Sequence, residues 1–204
     1  MNGDTNPITS NSSLGFGQNN RPIISVSNVR IFRPSELKRF LSAIENTEQR
    51  VKFEALLYTG MRYSELNRLL ENPDWFDNEI IHLTKKAVKK KKIKMKERYI
   101  HLNPIGRMIV RTFITNNKRL PTYGTWTENL KRWAKKANID QRYLSPKTAR
   151  KTWESWLVAY YPKLTNQIFL SQGHNTFTAL SHYVNLPFND DEIHQMDEFV
   201  AGWK

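Results

Sequence analysis

Residues 171–186 read SQGHNTFTALSHYVNL, which sets His174 nine positions before Tyr183. Two stretches upstream give this segment its meaning: SPKTARKTW at 145–153, carrying Lys147, Arg150 and Lys151, and YTGMRYSEL at 58–66, carrying Arg62. A tyrosine hydroxyl can attack phosphorus. Fixed cations can hold a phosphate and stabilise the charge that builds on it, and neighbouring side chains can carry protons. Together these are the parts that phosphodiester cleavage without a metal requires. No single motif decides the reading; their order along the chain does.

The bulk composition agrees. The 204 residues carry 32 Lys and Arg against 19 Asp and Glu, a net charge of +13, and 39% of them are apolar. That apolar share supports one globular core, and the charge favours a polyanionic partner such as nucleic acid. An anionic membrane is the weaker choice, because no apolar run approaches the roughly 20 residues that span a bilayer. The opening MNGDTNPITSNSS has neither the basic start nor the apolar stretch of a secretion signal, so the chain is expected in the cytoplasm. There is no cysteine, and His82, His101, His174, His182 and His194 lack paired metal-ligand spacing, so neither a metal nor another cofactor is expected.

Working outward, residues 1–22 are rich in Asn, Ser, Gly and Thr and predict a flexible arm, with one folded domain over 23–204. Leu37, Phe40, Leu41 and Ile44 recur at helical spacing after Pro34, with Ser35 as the cap. A second helix over 48–59 ends at Gly60, and Ser64 opens a third, leaving Arg62 in the turn between them. The period then changes. Residues 79–84 and 98–102 are short and β-prone, and they predict a hairpin whose tip is dense in lysine. Helical patterns resume at 105–116, 126–136, 146–160, 165–171, 176–184 and 190–200. The fold class is therefore α+β, mainly α-helical, with a small antiparallel hairpin.

Each constellation also has an ordinary reading. From Lys85 to Arg98 the chain has nine basic residues and one acid, Glu97. Charge runs usually coat a wet surface, but Ile93 and Met95 alternate with Lys92, Lys94 and Lys96, as on a strand that turns ammonium groups one way. Lys85, Lys86, Lys89, Lys90, Lys91, Lys94, Lys96 and Arg98, with Lys151, are the candidate DNA contacts. In SPKTARKTW, Ser145 as cap and Pro146 as first helical residue put Lys147 and Arg150 on one face, with Ala149, Trp153 and Trp156 on the core side. Cations at a helix start oppose its dipole, and that cost favours an anion site. Arg62 alone is weak evidence, since arginines at helix starts are usually surface residues, although Glu65 is close enough to orient it. His174 alone could be a loop histidine and Tyr183 a core tyrosine. Tyr160 and Tyr161 compete with Tyr183 but end a helix committed to packing.

Taken in order, TGMRYSEL, the basic hairpin ending KERYIHL, the Lys147-x-x-Arg150 pair, QGH at His174 and HYVNL at Tyr183 resemble the catalytic domain of tyrosine recombinases of the phage integrase family. The likeness covers about residues 33–186, and the closing FNDDEIHQMDEFVAGWK is similar to the tails of archaeal and archaeal-virus integrases. It implies that Arg62 and Arg150 clamp a scissile phosphate, that His174 donates a hydrogen bond to it, and that Tyr183 forms a 3′-phosphotyrosyl link to double-stranded DNA. A hairpin lysine would protonate the 5′-hydroxyl leaving group; Lys92 is favoured, with Lys94 and Lys90 as competitors. The family's second box commonly opens with His where this chain has Lys147, as the related type IB topoisomerases do, which leaves the base open. For the tyrosine, surrounding cations are expected to favour the phenolate.

The resemblance also implies a homo-oligomer, a tetramer, on DNA. An N-terminal helical domain that closes a clamp is usual in the family; the short arm found here is expected of either an isolated catalytic domain or a minimal protein whose grip on DNA is weaker and more salt-sensitive. The expected function is site-specific recombination without metal or ATP. The alternatives are a non-catalytic DNA-binding protein of the same fold and a DNA-relaxing topoisomerase. The stripe of Ile193, Met196, Phe199 and Val200 on the last helix needs a partner, either its own domain or a neighbouring subunit.

Overall fold

The computed structural model describes residues 21–84, 97–116, 119–174, 183 and 186–203. Its centre is the helix α6, Thr148–Tyr160, whose Trp153 and Trp156 are fully buried. Two short strands, β1 (Ile24–Val26) and β2 (Val29–Ile31), pair antiparallel through a turn at Ser27 and Asn28 and lie against α6. Both turn residues have positive φ, 50° and 56°, as a tight hairpin requires. The contact is polar as well as apolar: the Phe32 N–H donates to Thr152 Oγ1 at 3.0 Å, and the Trp156 indole N–H donates to the Phe32 carbonyl at 3.0 Å. This hairpin was not expected from the sequence.

Next come α1 (Pro34–Ser42), α2 (Thr47–Thr59) and α3 (Tyr63–Glu71). Arg33, not Ser35, caps α1; its backbone N–H is taken by the Glu36 carboxylate at 3.0 Å, and Pro34 is the first helical residue. Every residue of α2 from Val51 to Thr59 is buried, so beyond its exposed first turn this helix has no solvent face and lies between α6 and α4 (Pro104–Asn116). The predicted hairpin is present as β3 (Ile80–Leu83) and β4 (Arg98–His101), with Ile81 opposite Ile100 and Leu83 opposite Arg98. Its lysine-rich tip, 85–96, lies outside the described residues, as do the arm over 1–20 and most of the helix expected at 176–184.

Helix α5 (Tyr123–Lys136) sets Trp126 and Trp133 edge to face at 5.5 Å, and Trp133 meets Phe40 of α1. After α7 (Thr165–Gln172), the last helix, α8 (Asp190–Val200), folds back on its own domain. Met196 and Val200 are fully buried, Phe199 packs on Trp156, and Asn103 donates to the Phe199 carbonyl at 2.6 Å. Of the two partners open to the apolar stripe, this structure uses its own core. A buried ion pair closes the join: Arg33 Nη1 lies 2.7 and 2.8 Å from the two oxygens of Glu192. Among the described residues, no helix is long and apolar enough to cross a membrane.

Candidate active site

The site is built on α6 and on two helix ends that stop beside it. Glycines make both ends. Gly60 closes α2 at φ 59° and Gly173 closes α7 at φ 70°, left-handed conformations that side chains with a Cβ adopt at a cost. Both ends present backbone carbonyls to Arg150. Its Nη1 donates to Gly60 O at 2.6 Å and its Nη2 donates to Gln172 O, which fixes the guanidinium while it is almost fully buried. Burial, the leading cause, draws its pKa down to about 10, Glu154 opposing and Arg62 adding to the fall.

Arg62 is the N-cap residue of α3. Its Nη1 meets Glu65 Oε1 at 2.8 Å while Glu65 Oε2 takes the Arg62 backbone N–H at 2.8 Å, so the sequence expectation that Glu65 orients Arg62 is met. Glu65 is buried and also bonds Arg98 Nη2 at 2.7 Å. Burial alone would raise this carboxyl, but the Arg98 charge and hydrogen bond, with Arg62 behind them, hold it at about 2. Here one expectation is corrected. Arg98, placed among the DNA contacts, is buried: it shares the inward face of β4 with Ile100, and its Nε donates to Ser171 O at 3.0 Å. The alternation of the strand, which turns the exposed Tyr99 outward to stack on His82, decides its direction.

The helix α6 begins two residues later than SPKT suggests. Ser145 and Thr148 bond each other, N–H to Oγ1 at 3.0 Å and N–H to carbonyl at 2.9 Å, so a turn precedes the helix and Lys147 is its exposed N-cap residue. Lys147 and Arg150 therefore do not share a helical face; one faces solvent and the other the interior. Lys151, expected to face DNA, turns inward. Its ammonium lies 4.5 Å from the centre of the Tyr183 ring and contacts the hydroxyl. Of the remaining basic candidates, Lys85, Lys86, Lys89, Lys90, Lys91, Lys92, Lys94 and Lys96 lie outside the described residues.

His174 follows Gly173, and its Nε2 lies 3.1 Å from Arg150 Nη2 and 2.8 Å from Glu154 Oε1. The Tyr183 hydroxyl donates to Glu154 Oε2 at 2.7 Å, and the Tyr183 and His174 rings are 6.4 Å apart. Arg150, Lys151, His174 and Tyr183, spread over 34 positions of sequence, thus meet at one place, with Arg62 close enough to act on Arg150 electrostatically. The residue the sequence reading missed is Glu154, fully buried at the centre of this cluster. Its signal was the spacing: Glu154 stands four after Arg150, on the same helical face, and between two tryptophans that mark the core.

The electrostatics of the tyrosine run opposite to expectation. Burial first, then the Glu154 carboxylate, push the phenol far above its ordinary value, and Arg150 only partly opposes them. Burial would also raise Glu154, but contact with His174, the charge of Arg150 and the tyrosine hydroxyl outweigh it and hold the carboxyl below its ordinary range. In this state the phenol is a hydrogen-bond donor, not a phenolate. Among the described residues, no group of three or more His, Asp or Glu is placed to hold a metal ion.

The model described as the phage integrase family matches residues 30–189. The chain belongs to the phage integrase family. Solved structures agree with that membership in fold: XerA recombinase is similar with a TM-score of 0.60 and 21% identity over 87% of this chain and 66% of its own. The Tn1549 transposon integrase in complex with circular intermediate DNA is similar with a TM-score of 0.61 and 21% identity, over 87% of this chain and 68% of its own. This chain thus spans about two thirds of the length of these two proteins and has the tyrosine recombinase catalytic-domain fold. No curated protein sequence matches it.

Proposed function

We propose that this integrase-family domain is a site-specific DNA recombinase that cleaves and rejoins double-stranded DNA through a 3′-phosphotyrosyl intermediate, without metal or ATP. The observation that carries the reading is the meeting of Arg150, His174 and Tyr183 around one small volume, from three separate stretches of sequence. A DNA-binding protein needs the basic surface but no buried tyrosine hydroxyl beside a buried arginine.

In the reaction, Tyr183 Oη forms a bond to phosphorus while its proton passes to solvent through the base position, where this chain has Lys147. The bond from phosphorus to the 5′ oxygen breaks, and that oxygen takes a proton from a hairpin lysine, Lys92 in the favoured assignment. Arg62 and Arg150 hold the phosphate and, with His174, donate to the extra negative charge of the five-coordinate state. The phosphodiester energy is kept in the tyrosyl link, so the 5′-hydroxyl can attack in reverse without ATP. DNA is the partner, several subunits would act together on it, and the host cytoplasm or nucleoid would be the setting.

The test is a nicked suicide duplex that traps the covalent adduct. Wild type forms it and Tyr183→Phe does not, while both bind DNA alike; an adduct with the Phe variant overturns the assignment. Binding without any adduct indicates a non-catalytic binder. Relaxation of supercoiled plasmid without strand exchange indicates a topoisomerase.

A further inference from the structure

A fully buried carboxylate in a phosphate-binding site calls for an explanation. Glu154 shares a helical face with Arg150, and it would repel the very group those cations gather. Uncompensated, such burial is costly. Here both short contacts to the carboxylate come from residues of the reaction. Oε2 accepts the Tyr183 hydroxyl at 2.7 Å, and Oε1 lies 2.8 Å from His174 Nε2. The same His174 nitrogen is 3.1 Å from Arg150 Nη2. One ring nitrogen cannot serve both neighbours at once: carrying a proton it faces the carboxylate, and lacking one it accepts from the arginine. His174 is therefore shared between two settings.

The groups that face this carboxylate come from each packed element: Arg150 and Lys151 from α6, His174 from the end of α7, and Tyr183. Arg62, Glu65 and Arg98 form a second charged layer that acts on Arg150. In the DNA-free protein the Tyr183 oxygen is thus enclosed between the Lys151 ammonium and the Glu154 carboxylate, with its hydrogen on the carboxylate side.

We propose that Glu154 is a positioning residue that latches the nucleophile: its carboxylate tethers Tyr183 and His174 together, and the scissile phosphate, by taking over His174 and Arg150, opens the latch and frees the phenol to attack. The proposal rests on the reading of Tyr183 as nucleophile. It makes cleavage conditional on a phosphate being seated, so that the tyrosine is unreactive toward water-borne electrophiles when DNA is absent.

The experiment uses the full chain and a small phenol-directed reagent, N-acetylimidazole, with acetylated tyrosines located by peptide mass spectrometry. Glu154→Gln keeps the shape but removes the charge, and Glu154→Asp shortens the reach so that both partners cannot be held together. Tyr183 in the Gln variant should acetylate roughly tenfold faster than in wild type, the scale of losing a hydrogen bond to a charged group, with the Asp variant between them. Tyr58, buried elsewhere, reports unfolding and should not change. On the suicide duplex the Gln variant should form adduct faster than wild type.

Unchanged Tyr183 labelling in both variants overturns the latch. Faster labelling with slower adduct formation also overturns it, and makes Glu154 the acceptor of the tyrosine proton instead. If labelling rises but neither wild type nor variant ever forms adduct, the tether stands and the recombinase reading is the one that fails.

Discussion

At the scale of single residues, Gly60 leaves less room for a Cβ than any other described glycine. A Cβ there would lie 2.4 Å from Gln172 Oε1, a buried side chain, and φ is 59°. Gly60→Ala should cost about 1–3 kcal/mol in denaturant unfolding, and it should lower cleavage as well, because Gly60 O is one of the two carbonyls that aim Arg150. Arg150→Ala and Arg62→Ala should each slow adduct formation by roughly 10²–10³-fold with a smaller change in DNA affinity; equal losses in both would make them plain phosphate anchors. Glu65 gives a pH signature. Its carboxyl falls from an ordinary 4.5 to about 2 in the folded chain, so its stabilisation is complete above about pH 4.5 and is lost as pH falls toward 2. A displacement of that size is worth about 3 kcal/mol, and Glu65→Gln should flatten the acid limb of stability against pH between those limits. Arg62 stood out in a turn before a helix, Arg150 near a helix start, His174 after a glycine and Tyr183 by its nine-residue spacing from His174. Glu154 was not legible, since a carboxylate inside a helix reads as surface even when the tryptophans on either side are assigned to the core.

At the scale of elements, legibility followed periodicity. The helices α1 to α5 and the β3–β4 hairpin are strongly periodic, and their expected positions hold to within a few residues. The start of α6 shifts by two residues because Ser145 and Thr148 bond each other and so form a turn before the helix. The β1–β2 hairpin escaped notice for a different reason: three-residue strands are stabilised mainly by what they lie on, here α6, and that support is invisible locally. Counting Arg98 with the lysines ignored the pleat that turns alternate residues inward. For the hairpin itself, replacing Lys92 should slow cleavage in a way that a 5′-bridging sulfur substrate rescues, since a thiolate leaves without protonation. Rescue of a Lys94 variant instead would transfer the role. For α8, Glu192→Gln leaves the buried Arg33 without its charge partner, and about 3 kcal/mol of stability should be lost; a loss well under 1 kcal/mol would mean that the apolar stripe alone seats this helix.

At the scale of the whole molecule, the net charge of +13 predicts DNA affinity that falls steeply with salt. Changing Lys85, Lys86, Lys89 and Lys91 together to Gln should reduce the slope of log affinity against log salt by about 3 to 4 if each neutralises one phosphate. No change in slope would place DNA elsewhere on the surface. The anchoring of Arg150 has a further consequence for how the chain comes into being. Gly60 O and Gln172 O stand 90 and 22 residues from it along the sequence, and the β1–β2 hairpin reaches α6 from 120 residues away. Contacts so distant form late, after loop closure has been overcome. During synthesis α6 leaves the ribosome ahead of Gln172 and Tyr183, and any local unfolding of α2 or α7 afterwards withdraws a carbonyl from Arg150. The assembled cluster is therefore a property of the finished, fully folded chain, and on the proposed reading a nascent or locally unfolded copy would not cleave DNA.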